Sequence, residues 1–143
     1  MYLSGHSLGA ANATLTSYFL AIKYPNIQIK LITFGCPRVG NAQWKEEFES
    51  KDNIINYRIT NKRDIVTVIP TINYCHVGEH IYLSDDGLCK IDNNKYSSLW
   101  YRSLLHSFSI YDHKMTNYVK NMLNKETLWN QLNDDEYSSD SES

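Results

Sequence analysis

Gly5-His6-Ser7-Leu8-Gly9 is the stretch that most restricts what this chain can become. A serine between two glycines, entered from the apolar stub Met1-Tyr2-Leu3-Ser4 and left into an alanine-rich segment, reads as a strand turning sharply into a helix. Such a turn strains the backbone of its middle residue, and the glycines let neighbouring backbone and a bound molecule come close. The Ser7 hydroxyl then faces open space at the head of the helix. There the free N–H groups and positive dipole end favour an anion, and the Leu8 N–H is placed to donate to an oxyanion formed at Ser7. A Gly/Ser-rich turn without chemistry is the competing reading of these five residues alone.

A nucleophilic serine requires a base, and the base requires an acid to orient it; the chain order Ser, Asp/Glu, His is one that supports this arrangement. Asp64 directly follows the apolar alternation Ile54 to Thr60, which reads as a strand, and strand C-terminal ends are where open α/β sheets carry functional groups. His113, in Tyr111-Asp112-His113-Lys114-Met115, stands at the head of the last helical segment. His106 is the fallback base. Asp112 and Asp52 are weaker alternatives to Asp64 because neither follows a strand end. His6 is expected to hydrogen-bond within the sheet.

The motifs together resemble the class 3, fungal-type lipase family, a branch of the α/β-hydrolases. They are Gly5-His6-Ser7-Leu8-Gly9-Ala10, Thr33-Phe34-Gly35-Cys36-Pro37-Arg38-Val39-Gly40-Asn41, Asn61-Lys62-Arg63-Asp64-Ile65-Val66, His76-Val77-Gly78-Glu79 and Tyr111-Asp112-His113, in the family's order. The resemblance implies a partial α/β-hydrolase fold, from the nucleophile strand onward, with a mostly parallel sheet and flanking helices. It implies Ser7 as nucleophile, His113 as general base and then acid, Asp64 as the carboxylate that fixes the imidazole tautomer, and Leu8 N–H as one oxyanion donor. In the family the second oxyanion donor, the lid and the strands before the turn come from upstream sequence, so an incomplete chain is the expectation. The implied substrate is an acylglycerol or phospholipid at a lipid–water interface, with no cofactor and no metal.

A length of 143 residues gives room for a single core, and a formal charge of −2 offers no electrostatic reason to expect nucleic acid. No apolar run of about 18 residues is present to span a bilayer, and no cationic start leads into a cleavable apolar segment. Localisation stays open, secreted or cytoplasmic. Cys36, Cys75 and Cys89 fit no zinc-finger spacing; Cys75 and Cys89 bridged across a β segment, or all three as reduced thiols, are the two readings.

His76-Val77-Gly78-Glu79-His80 matches the H-x-x-E-H string of zinc proteases, a chemistry that needs a helix. Gly78 and the β-prone Ile81-Tyr82-Leu83 argue instead for a strand, which separates His76 and His80 by roughly 13 Å. Metal binding is therefore not expected there.

Between these motifs the chain alternates. Leu8 to Lys23 is a helix with Leu15, Phe19 and Ile22 at helical spacing, and Ile29 to Phe34 is a strand. Gly35 to Gly40 punctuates the following turn, and Ala42 to Phe48 is a helix with Trp44 and Phe48 on one face. Val77 to Leu83 is a further strand or hairpin arm, with Asp85-Asp86-Gly87 as its turn. Leu99, Trp100, Leu104 and Leu105 suit a short buried helix. His113 to Leu132 is a long amphipathic helix whose stripe of Met115, Tyr118, Met122 and Trp129 is read as core packing. By the resemblance, residues 1–132 are expected to form one partial lipase domain, and Asn133 to Ser143 is an acidic, serine-rich tail with no reason to fold. A truncated or inactive lipase-like binding module is the alternative to a working esterase.

Overall fold

The computed structural model describes residues 1–84, 88–91 and 108–123. Five strands form one sheet in sequential order: β1 (Tyr2–His6), β2 (Ile29–Phe34), β3 (Ile54–Asn61), β4 (Glu79–Leu83) and β5 (Leu88–Ile91). The first four are parallel, with Ser4 opposite Ile32, Ile32 opposite Tyr57 and Ile59 opposite Ile81. β5 returns antiparallel to β4, so the strand expected over Val77 to Leu83, which begins only at Glu79, is both a parallel strand and a hairpin arm. The helices are α1 (Leu8–Lys23), α2 (Ala42–Glu49) and α3 (Met115–Leu123).

Consecutive residues of a strand face opposite sides of a sheet, and β2 shows what each side is for. Leu31 joins Ala13, Phe48 and Val77 beneath α1 and α2, whereas Ile32 and Phe34 pack with Ile59, Ile81, Leu83 and Tyr118 beneath α3. The sheet is therefore covered on both faces. This is the partial α/β-hydrolase architecture expected.

α1 forms where the sequence predicts, but its large apolar residues point outward: Leu15, Phe19 and Ile22 are exposed. The face on the sheet is Ala10, Ala13, Thr14, Ser17 and Ala21. Gly5 explains the inversion. A Cβ there would strike the Gly9 carbonyl and lie 2.7 Å from the Ala10 nitrogen, so helix and strand approach too closely for large side chains between them. Gly9, by contrast, faces open space, with nothing within 4 Å of a Cβ.

α2 is capped by Asn41, whose side-chain oxygen accepts from Trp44 N at 2.9 Å. Trp44 packs on Phe48 and Tyr18, as their spacing implies. α3 begins at Met115 rather than His113, leaving His113 in the turn before it, and it buries Tyr118 completely. The Asp85-Asp86-Gly87 turn, Leu99, Trp100, Leu104, Leu105, His106, Trp129 and the tail from Asn133 lie outside the described residues, as does the Cys89 side chain. Cys36 and Cys75 are free thiols. No helix among the described residues is long and apolar enough to cross a membrane.

Candidate active site

The candidate site residues gather at the C-terminal ends of the parallel strands. Backbone bonds continue the ladder one step past each strand: Ser7 N donates to Phe34 O, Gly35 N to Ile59 O and Lys62 N to Leu83 O. Ser7, Gly35 and the Asn61–Asp64 turn are thereby fixed side by side at one edge of the sheet.

Ser7 is the N-cap of α1, with φ 58° and ψ −127°, and its hydroxyl makes no cap bond. A non-glycine residue in this region carries about 1–3 kcal/mol of strain. In exchange the hydroxyl points away from the helix, 2.8 Å from His113 Nε2. Leu8 occupies the first helical position, where a backbone N–H has no acceptor within the helix.

Asp64 is fully buried in the turn after β3. Its carboxylate accepts from His113 Nδ1 at 2.9 Å, from the Tyr118 hydroxyl at 2.6 Å and from Val66 N at 2.8 Å. A carboxylate only accepts, so Nδ1 carries the proton, Nε2 is the basic nitrogen, and the serine hydroxyl donates to it. Ser7, Asp64 and His113, the three residues singled out from the sequence, are brought into one hydrogen-bonded line.

The loop bearing His113 is tied down by neighbours. Ser109 N donates to Arg63 O at 2.9 Å, and the Asn61 amide donates to Asp112 O at 2.9 Å. Asp112 takes no part at the imidazole; its carboxylate accepts from Arg63 N at 3.3 Å and faces the Arg63 guanidinium at 3.8 Å. Asp52 sits in an exposed turn.

Three residues at this site were not identified as such from the sequence. The His6 ring leaves the sheet, where it was expected to bond, and Nε2 donates to the His113 carbonyl at 2.7 Å. Tyr118, read as a core residue of an amphipathic stripe, uses its hydroxyl on Asp64 and accepts there from Asn61 N at 3.0 Å. Gly35, read as turn punctuation, has φ 56°, and a Cβ on it would lie 2.8 Å from Asp64 Oδ2 and 3.1 Å from His113 Nδ1. Only Gly35 had a signal to find: a glycine directly after a strand end, the position at which sheet and site meet.

His76 and His80 do not converge. His80 lies in β4 with Nε2 2.6 Å from the Thr60 hydroxyl, and His76 Nε2 donates to Thr67 O at 2.7 Å. Burial, helped by the nearby Arg58 charge, pushes the His76 pKa well below the ordinary 6.5, so the ring is neutral. No cluster of three His, Cys, Asp or Glu side chains able to hold a metal occurs among the described residues.

Residues 1–74 match the family model Lipase (class 3), just over half of the 143-residue chain. The chain belongs to the class 3 lipase family. Among curated relatives it is 41% identical over 71 residues to Toxin TseL of Vibrio cholerae, covering 50% of this chain and 11% of that protein. It is 35% identical over 80 residues to Phospholipase A1-IIdelta of Arabidopsis thaliana, covering 53% of this chain and 19% of the relative. The solved lipase of Rhizopus microsporus var. chinensis superimposes with a TM-score of 0.65 at 31% identity, over 78% of this chain and 41% of the lipase. This class 3 lipase chain therefore spans less than half the length of the relatives it matches.

Proposed function

We propose that this chain carries the catalytic residues of a serine ester hydrolase acting on lipid esters through an acyl-enzyme. The observation that carries the reading is the unbroken path from Ser7 Oγ to His113 Nε2, 2.8 Å, and from His113 Nδ1 to Asp64, 2.9 Å. These contacts join residues 106 and 49 positions apart in a single donor–acceptor polarity.

In the reaction, Ser7 Oγ attacks the ester carbonyl carbon as its proton passes to His113 Nε2. The tetrahedral oxyanion is held by the Leu8 N–H at the head of α1. Collapse breaks the ester C–O bond, and His113 returns the proton to the departing alcohol. Water, deprotonated by the same nitrogen, then attacks the acyl-enzyme, releasing the carboxylic acid and restoring Ser7. Asp64 stabilises the imidazolium throughout and holds the ring in one tautomer.

A lipid ester at an interface is favoured by the family's lipases and phospholipases and by the rim of the site. Leu8, Ile110 and Tyr111, each next to or within three residues of Ser7 or His113, are 70%, 68% and 62% exposed. Exposed apolar side chains around a polar centre suit an aggregated lipid better than a small dissolved ester.

The test is a fluorophosphonate probe with adduct mapping, beside hydrolysis of a nitrophenyl ester. An adduct on Ser7, lost in Ser7→Ala and slowed at least a hundredfold in His113→Ala, is expected. A folded chain with neither adduct nor Ser7-dependent turnover would overturn the proposal and favour a binding module.

A further inference from the structure

We propose that His6 is a positioning residue for the base, locking the His113 imidazole against the nucleophile. The inference rests on the catalytic reading above and deepens it.

His6 is the last residue of β1 and shares a peptide bond with Ser7. Its Nε2 lies 2.7 Å from the His113 carbonyl, which only accepts, so this nitrogen holds the proton and His6 is the donor. The two imidazoles also stack, with centroids 4.6 Å apart and planes inclined by 28°. The edge of the same ring meets Tyr118, centroids 5.8 Å apart, and Tyr118 donates to Asp64. One side chain thus touches the base at its backbone and at its ring, and also touches the tyrosine that holds the acid.

The geometry matters because His113 stands in a turn, not in a helix or strand. Its ring is free to rotate about two side-chain bonds unless neighbours prevent it. Asp64 holds Nδ1, and the Ser7 bond at Nε2 reverses its direction when the proton moves. The His6 bond to the backbone persists through every protonation state and fixes the base at its Cα, with the stacked ring lying alongside. With residues 6 and 7 adjacent, displacement of the elbow carries base and nucleophile together, so their separation is preserved. Loss of such positioning reduces the fraction of near-attack geometry, and a misplacement of about 1 Å costs on the order of a hundredfold in rate.

Two variants separate the contributions. His6→Gln keeps an N–H donor of similar reach, whereas His6→Phe keeps a stacking ring and removes the donor. In His6→Phe, kcat is expected to fall ten- to a hundredfold with KM within about twofold of wild type. His6→Gln is expected to retain kcat within about threefold. Imidazole nitrogen NMR on the whole chain supplies a readout independent of turnover. Wild type should show His6 as the Nε2–H tautomer and His113 as a single Nδ1–H tautomer, with averaged His113 signals in His6→Phe and wild-type signals in His6→Gln. The inference is overturned if His6 in the wild type is the Nδ1–H tautomer, if His6→Phe leaves His113 and kcat unchanged, or if His6→Gln is no better than His6→Phe. A wild type with no Ser7-dependent turnover would sink the catalytic reading, while the spectra would still decide the role of His6.

Discussion

The Tyr118 hydroxyl lies 2.6 Å from Asp64 Oδ2, inside a core from which both residues are wholly excluded from solvent. That oxygen also accepts the Asn61 N–H at 3.0 Å, so one phenol satisfies a buried carboxylate and a buried backbone donor. Tyr118→Phe leaves both without it. Removing one partner of a buried hydrogen bond costs about 1–3 kcal/mol. The variant should unfold at lower denaturant by that amount, and ester turnover should drop about tenfold as Asp64 loses one of its three fixed donors. Urea titration together with kcat checks both; wild-type stability in Tyr118→Phe would refute the first.

Gly35 has no room for a side chain. Its φ of 56° disfavours any Cβ, and that Cβ would press on Asp64, His113 and Tyr118 at once. Gly35→Ala should therefore lower kcat at least a hundredfold while the far-ultraviolet spectrum stays native. Gly9→Ala is the control: its Cβ meets nothing within 4 Å, and activity should stay close to wild type.

His76 makes the fold acid-sensitive. Its pKa is depressed in the folded chain and near the ordinary 6.5 once unfolded, so below that pH the unfolded state takes up a proton that the folded state refuses. The stability due to neutral His76 is complete above about pH 6.5 and declines as pH falls, by up to about 1.4 kcal/mol per pH unit. His76→Gln keeps a donor for Thr67 O and removes the titration. Its urea midpoint should fall less than that of wild type between pH 7.5 and pH 5.

The two described thiols should differ in reactivity. Burial pushes the Cys36 pKa up to about 11, and its sulfur lies beside Thr14 and the Pro37 carbonyl. Cys75 is only half-buried. With iodoacetamide at pH 8, native Cys75 should be alkylated at least a hundredfold faster than Cys36, as followed by peptide mass. Equal rates would mean that the Cys36 side opens readily.

Much of this was legible in the sequence because local rules suffice for it. The alternation in Ile54 to Thr60, the apolar run Ile29 to Phe34 and the punctuation at Gly35 announce strands ending on one edge. The order Ser7, Asp64, His113 then names the residues which that edge brings together. What stayed hidden depends on pairs far apart in the chain. The outward turn of Phe19 and Ile22 follows from a glycine on β1 rather than from the periodicity of α1. Tyr118 fits an apolar stripe equally well whether or not its hydroxyl finds Asp64 54 positions away. The ring of His6 has no sequence neighbour to reveal that it crosses to His113.

The backbone at Ser7 sets two demands against each other. A positive φ is cheap for glycine and costly for serine, so the chain would be steadier with glycine at the one position where the proposed chemistry needs a hydroxyl. Any drift toward greater robustness at residue 7 therefore erases the reactive atom. The elbow is held in its conformation by the surroundings that tolerate the strain, the Ser7–Phe34 ladder bond and the close seat of α1 on Gly5, and not by the preference of the residue itself.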